Sequence, residues 1–414
     1  YFKVTKDKVA IARASDFNSG RAIAVAETKK GVGKEIKTAN EFIQTTVNPY
    51  WTDMQARVEA LRPYVDSVDS AIIKELQNPY DVHENWDSLT LTRKDGSAYE
   101  ANLFRVRVKN NIVLGAAKGG IRYCTAKDMM RDEAFATALE RLNELKATKE
   151  QIEVFIAKWI KEEAQALSLG MTLKVAGANL PLGGGKGDIF IGEVIKEGDK
   201  WVLKDYDNWD SDYNLAKIAR SHSLDLVRAG KVGVDIDIPA PDMKTNGQIL
   251  SWYADEYLKY LVLNTLEIKD KDPALHGILK AILDKGEYNI TDTPLLEAAN
   301  KYSHEGHAVP WLGVYTGKPV TLGGSLGRTE ATGFGGMDVM RVLLQDIIGD
   351  IKGKTSSVQG FGNVGAHVAL ALAREGVIVQ YINDETMTLY KKEGFSIQEL
   401  EEMVDFLKDP KKFA

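Results

Sequence analysis

The segment that most constrains this chain lies near its end. Thr355 to Gln359 reads as a short strand and runs into Gly360-Phe361-Gly362-Asn363-Val364-Gly365. A helical pattern follows to Glu375, and a second strand, Val377 to Asn383, ends in Asp384. Gly-x-Gly-x-x-Gly alone decides little, because glycine-rich turns are common. Here it follows a strand, opens a helix and precedes an acid about 19 residues after Gly365, the context of a dinucleotide-binding βαβ unit. Gly360 permits the tight turn, Gly362 lets the backbone approach a pyrophosphate, and Gly365 allows close helix–strand packing. The helix start at Asn363 and Val364 offers free N–H groups and a positive dipole to the phosphates. Asp384 would accept hydrogen bonds from the adenosine ribose hydroxyls, and Glu385 adds negative charge against a 2′-phosphate. NAD is therefore favoured, with NADP left open. Only the first half of such a domain is legible before Ala414, so a fragment of a longer chain is the expectation.

Upstream the periodicity changes. From Ala39 to Leu76 apolar residues recur at helical spacing (Phe42, Ile43, Met54, Val58, Leu61, Val65, Ile72, Ile73, Leu76), with breaks at Asn48-Pro49 and Asn78-Pro79. Residues 1–80 thus read as a largely helical extension. Ser88 to Thr92 and Tyr99 to Val108 alternate on either side of Asp95-Gly96, which predicts an antiparallel pair. A helical stretch runs from about Ala126 to Leu169 with a break near Thr148, and a strand signal, Asp188 to Val194, follows a glycine-rich loop. Strands alternating with helices predict an α/β fold. Two stretches, 193–214 and 261–307, read as inserted surface elaborations.

Composition excludes several classes of function. The formal net charge is -6 and the basic residues are interspersed with acids, so no nucleic-acid patch is expected. No apolar run approaches the roughly 20 residues a membrane-spanning helix needs. The single cysteine, Cys124, leaves no internal disulfide or Cys-based zinc site and reads as a packed thiol in a reducing compartment. His304 and His307 have no further ligands nearby in sequence, so no metal is expected. The chain starts at Tyr1 without a signal-peptide pattern, which makes the cytoplasm the expected compartment.

The candidate chemistry lies in glycine- and proline-bracketed charges. Lys118-Gly-Gly-Ile-Arg122 sets two cations beside two glycines. Leu180-Pro-Leu-Gly-Gly-Gly-Lys186-Gly187 surrounds Lys186 with almost no side chains, and it lacks the spacing and the Ser or Thr of a phosphate-binding P-loop. A desolvated lysine near other cations has a depressed pKa, so it can polarise a carbonyl or act as a base near neutrality. Lys174 lies 12 residues before Lys186. In Pro239-Ala-Pro-Asp242 the prolines restrict the backbone and fix the direction of Asp242, a candidate proton carrier.

These motifs resemble those of the glutamate/leucine/phenylalanine/valine dehydrogenase family, its glutamate-acting members in particular. The matching stretches are KGGIR at 118, LPLGGGKG at 180, PAPD at 239, TNGQILSW at 245, TGKP at 316, GGSLGRTEATG at 323 and QGFGNVG at 359. The resemblance implies a substrate and oligomerisation domain over 81–328 and a partial Rossmann-type NAD(P)-binding domain over 329–414. It further implies a homo-hexamer acting on glutamate, 2-oxoglutarate and ammonia, with hydride passing from Cα to nicotinamide. By motif position, Lys118 would bind the side-chain carboxylate, Lys174 the α-carboxylate, and Lys186 would polarise the carbonyl and activate water. Asp242 would shuttle protons at nitrogen, and Thr332 would sit near nicotinamide and substrate. A lysine at position 118 favours glutamate, since an unpaired buried ammonium facing an apolar side chain is costly. A dehydrogenase for another amino acid and a catalytically silent paralogue acting as an oligomerisation or regulatory subunit stand as alternatives. The chain departs from the family pattern at Tyr123-Cys124-Thr125 after KGGIR, and at Asp188, which replaces a glycine after GGGKG. Because an acid facing Lys186 would raise its pKa, Asp188 is expected to point away.

Overall fold

The computed structural model describes residues 2–5, 8–11, 37–60, 70–286, 288–384 and 387–408. Leu61, Val65 and Glu385 lie outside these residues, as does the side chain of Ile72. The chain divides into two units, Ala14–Gly324 and Tyr1–Arg13 with Ser325–Ala414. It opens on a hairpin of β1 (Phe2–Thr5) and β2 (Lys8–Ile11). Helices α1 (Ala39–Thr45), α2 (Pro49–Glu59) and α3 (Ser70–Leu76) follow. The Asn48-Pro49 break starts α2: the Asn48 side chain accepts from the Tyr50 N–H, and Pro49 takes a first-turn position where no donor is required.

The larger unit begins with the expected hairpin. β3 (Asp81–Thr92) pairs antiparallel with β4 (Ala98–Asn111) around Gly96, whose φ of 86° suits the turn. β5 (Ala117–Thr125) leads into α4 (Ala126–Arg131) and α5 (Glu133–Glu144). Thr148, the break in the helical pattern, caps α6 (Lys149–Gly177) through a reciprocal pair of bonds with Gln151. After it come β6 (Gly183–Ile191), a hairpin of β7 (Glu193–Glu197) and β8 (Lys200–Lys204), then α7 (Asp212–Arg228) and β9 (Asp237–Pro241). Helices α8 (Gly247–Asn264), α9 (Glu267–Lys271), α10 (Pro273–Asp284) and α11 (Pro294–His304) complete it.

These strands form a five-stranded sheet in the order β3-β4-β6-β5-β9, with β5 parallel to both β6 and β9. Successive residues face two different cores. Leu103, Ile121, Ile189 and Ile191 pack with α7, α8, α10 and α11 on one side. Phe104, Val106, Cys124 and Phe190 pack with α5 and α6 on the other. Phe135, Phe155 and Trp159 form an aromatic cluster in this second core, and each such burial is worth about 1.5–3 kcal/mol. Cys124 is buried there, where the apolar surroundings hold its thiol well above its ordinary pKa.

Two sequence expectations are corrected. The glycines at 183–187 are not a loop but the first half of β6, buried along its whole length. A strand covered on both faces loses the period of two, which removes its usual signature. Nor is 261–307 a surface elaboration: Leu275, Leu279, Leu295, Leu296 and Ala299 lie in the core with α8. The 193–214 stretch is likewise anchored, with Val194 buried and the Trp201 indole donating to the Ala147 carbonyl at 2.9 Å. His307 stacks on Tyr302, with ring centroids 3.9 Å apart. Among the described residues no metal-holding group of His, Cys, Asp or Glu occurs.

The second unit contains α12 (Ala331–Ile348), β10 (Thr355–Gln359), α13 (Asn363–Arg374), β11 (Ile378–Asn383), β12 (Thr388–Tyr390) and α14 (Ile397–Lys408). β10 and β11 are parallel, as a βαβ unit requires, and β12 adds antiparallel at the edge. Val358, Leu370, Val379 and Ile382 form its core. Among the described residues no helix is long and apolar enough to cross a membrane.

Candidate active site

In the larger unit three of the expected charges, Lys118, Lys186 and Asp242, lie on β5, on β6 and just past the end of β9. Lys186 lies mid-strand on β6, on the side facing α6, and is 3% exposed. Its ammonium donates to Asp242 Oδ2, just past the end of β9. Asp242 is held from three directions. Its N–H donates to Thr245 Oγ1 at 2.7 Å, and its Oδ1 accepts from the Met243 N–H at 2.6 Å and from Arg122 Nε at 3.4 Å. Room for it comes from Gly120 of β5, where a Cβ would stand 2.5 Å from the Asp242 Cβ.

Burial draws the Lys186 pKa below its ordinary value, although Asp188 and Asp242 pull it upward. Burial alone would raise Asp242. Lys186 and Arg122 outweigh it and hold that carboxyl below its usual range. A lysine and an acid with mutually adjusted protonation are suited to passing a proton between them.

Asp188 does not point away from Lys186. The two stand at i and i+2 on β6, so strand geometry sets both on the α6 side. Asp188 is 2% exposed, and burial pushes its carboxyl up to about 7 against the pull of Arg122 and Lys186.

Lys118, on β5, donates to the Ile238 carbonyl at 3.0 Å and to Thr316 Oγ1 at 2.7 Å. It pairs in register with Gly184 of β6, so the two glycine-flanked lysines sit on adjacent strands. Lys174 is exposed on the last turn of α6, just beyond Thr172, whose hydroxyl crowds Gly184.

Two further groups were not singled out from sequence. Glu163 of α6 accepts from Arg122 Nη1 at 2.6 Å and fixes the guanidinium over the site. Arg107 of β4 grips Asp237 with two bonds of 2.6 Å and donates to the carbonyls of Gly120 and Gly119 at 3.0 and 3.3 Å. This pair is buried at 1% and 0% side-chain exposure and props the backbone from which Lys118 and Arg122 project. The signal was present in Arg105-Val-Arg-Val-Lys109, an alternation that gives a buried strand one cationic face in need of acids.

The second unit, taken by itself, has the features of a dinucleotide cradle. Gly360 adopts φ 87°, and its N–H and that of Phe361 donate to the Asn383 carbonyl at 2.9 and 2.8 Å. A Cβ at Gly365 would lie 1.9 Å from the Gly360 carbonyl oxygen, whereas one at Gly362 would meet no protein atom within 4 Å. The first turn of α13, Asn363 and Val364 included, carries no side-chain cap, which leaves its N–H groups to a ligand. Asp384 follows β11 directly, and its Oδ1 accepts from the Met387 N–H at 3.0 Å. Thr332 lies on α12 beside Gly333, where a Cβ would approach Val364 O of α13 to 2.9 Å. The residues present therefore fit a dinucleotide.

The model of the Glu/Leu/Phe/Val dehydrogenase dimerisation domain matches residues 88–259, and that of Glutamate/Leucine/Phenylalanine/Valine dehydrogenase matches residues 323–413. A glutamate dehydrogenase of Thermotoga maritima is 32% identical over 296 residues, 71% of this chain and 48% of the relative. An NAD-specific glutamate dehydrogenase of Peptoniphilus asaccharolyticus is 33% identical over 244 residues, 58% of this chain and 44% of the relative. The chain thus spans about half the length of these two relatives. Among solved structures, the hetero-hexameric glutamate dehydrogenase of Thermus thermophilus shares the fold with a TM-score of 0.56 at 22% identity, over 91% of this chain and 65% of that one. The Peptoniphilus asaccharolyticus structure gives a TM-score of 0.53 at 25% identity, over 87% and 67%. The chain belongs to the Glu/Leu/Phe/Val dehydrogenase family.

Proposed function

We propose that this chain carries out the reversible, NAD-linked oxidative deamination of L-glutamate to 2-oxoglutarate and ammonia. The observation that carries the reading is the buried Lys186 donating to Asp242 on a glycine-lined sheet. In this proposal residues 81–328 bind substrate and neighbouring subunits, and residues 329–414 hold the cofactor. Gly360, Gly362, Asn363, Val364 and Gly365 cradle its pyrophosphate, and Asp384 receives the adenosine ribose. Nicotinamide, when bound, supplies the hydride acceptor.

The remaining chemistry belongs to side chains of this chain. Lys118 pairs the substrate's side-chain carboxylate and Lys174 its α-carboxylate, which fixes the amino acid at both ends. The family motif assigns Thr332 to the nicotinamide end of the cofactor. In its charged form Lys186 donates to the 2-oxo oxygen and draws electrons from the carbonyl carbon. As a neutral amine it takes a proton from the attacking water. Asp242 gives a proton to the leaving nitrogen and recovers it in the reverse direction.

The test is oxidation of NADH and NADPH, measured separately, by the full-length gene product with 2-oxoglutarate and ammonium. Loss of NADH absorbance well above loss of NADPH absorbance is the expected result. No turnover with either cofactor, in a sample shown to be folded, would favour the second reading. That reading is a silent paralogue in a mixed assembly, and the one feature that motivates it is Asp188 on the same side of β6 as Lys186. The Thermus thermophilus relative, a hetero-hexamer, offers a parallel.

A further inference from the structure

Asp188 is a buried carboxyl for which the proposed reaction has no use. Both of its oxygens are enclosed and accept no hydrogen bond. Its cationic neighbour across the parallel strands is Arg122, its register partner on β5, with Nε 3.9 Å from Asp188 Oδ1. Arg122 is already engaged twice, by Glu163 at 2.6 Å and by Asp242 at 3.4 Å. Lys186, two residues back on the same side of β6, is engaged by Asp242.

The groups facing Asp188 are therefore Lys186 on its own strand, Arg122 and the Cys124 thiol from β5, Glu163 from α6 and Asp242 from beyond β9. From β4 the register partner is the apolar Val106. Two cations stand against three carboxyl groups. The cluster is neutral if one proton stays on a carboxyl, and the group with the poorest solvation and no hydrogen bonds is where that proton costs least. Loss of this proton leaves a net negative charge around the Lys186 ammonium and makes that ammonium harder to deprotonate.

We propose that Asp188 is a positioning residue for Lys186, one whose proton sets the fraction of Lys186 present as neutral amine at a given pH. The inference rests on Lys186 being the lysine of the proposed reaction. Its consequence is a working pH higher than the same site would have without the acid.

The test reads Lys186 directly. The full chain and its Asp188→Asn and Asp188→Gly variants are exposed to cyanate, which reacts with neutral amines, between about pH 6 and about pH 10. Carbamylation at Lys186 is followed by peptide mass spectrometry with exposed Lys174 as the internal reference. In both variants the Lys186 curve should move to lower pH, with reaction about tenfold faster near pH 8, little changed near pH 6, and Lys174 unchanged throughout. Curves that coincide within a factor of two in both variants overturn the proposal. Asn keeps the shape of the side chain, and Gly removes it, so a packing defect in one variant leaves the other to decide. Turnover of glutamate is measured on the same samples. If it is absent from all three while the Lys186 curve still shifts, the proposed reaction fails and the coupling stands. If it is present, the acid limb of kcat/KM should move to lower pH with the carbamylation curve; a fixed limb overturns the proposal.

Discussion

Asp188 shows how much a single position adds to a motif reading. Its folded-state pKa lies above its ordinary 3.8, so the stability it contributes is intact below that value and is lost as pH rises through about 7. Asp188→Asn should therefore gain stability over the parent at about pH 8, on the order of a few kcal/mol, and less than half of that at about pH 5. Urea unfolding at the two pH values measures this, and a gain that does not vary with pH would contradict it. Lys186 and Asp242 were legible from sequence because glycine and proline frame them. The direction of Asp188 was not. With 183–187 read as a loop there was no strand phase to count from, and once β6 is known to begin at Gly183 the period of two settles it. Arg107 and Asp237 were missed for another reason: they pair across 130 residues, and no local pattern names a distant partner.

At the level of elements, β6 and α6 explain the glycine run better than flexibility does. A Cβ at Gly184 would stand 2.2 Å from Thr172 Oγ1, 2.3 Å from the Ser168 carbonyl oxygen and 2.4 Å from the Thr172 nitrogen, two of which are backbone atoms that cannot turn aside. Gly184→Ala should force the helix off the strand and cost about 1–3 kcal/mol. Gly170, inside α6, is the control: a Cβ there would lie an ordinary 3.8 Å from the Met54 methyl, so Gly170→Ala should gain about 0.5–1 kcal/mol. Midpoints of chemical unfolding compare the two, and equal effects of the same sign would refute the close-approach account. The helix breaks at Asn48-Pro49 and Thr148 and the Asp95-Gly96 hairpin were legible because their signals are local. The buried strand β6 was not, since burial on both faces erases periodicity, and 261–307 was read as helical but placed at the surface because its charges drew attention from the apolar face that α10 and α11 bury.

For the molecule as a whole, the α/β class followed from alternating strands and helices, and the βαβ unit at 355–383 from its glycine spacing. The β1–β2 hairpin and the edge strand β12 were not foreseen, being three or four residues long, too short for a period to stand out. If the proposed assembly holds, native mass spectrometry of the full gene product should give a particle of six chain masses; a monomer at micromolar concentration would count against it. The Arg107–Asp237 pair bears on how such a chain can change over time. It ties β4 to β9 and carries the backbone of β5 between them. Loss of either partner strands a buried charge at a cost of about 3–5 kcal/mol, whereas joint replacement by apolar groups can be neutral. Lineages of this sheet are therefore expected to keep both residues or exchange both together, so that two positions far apart in the gene drift as one.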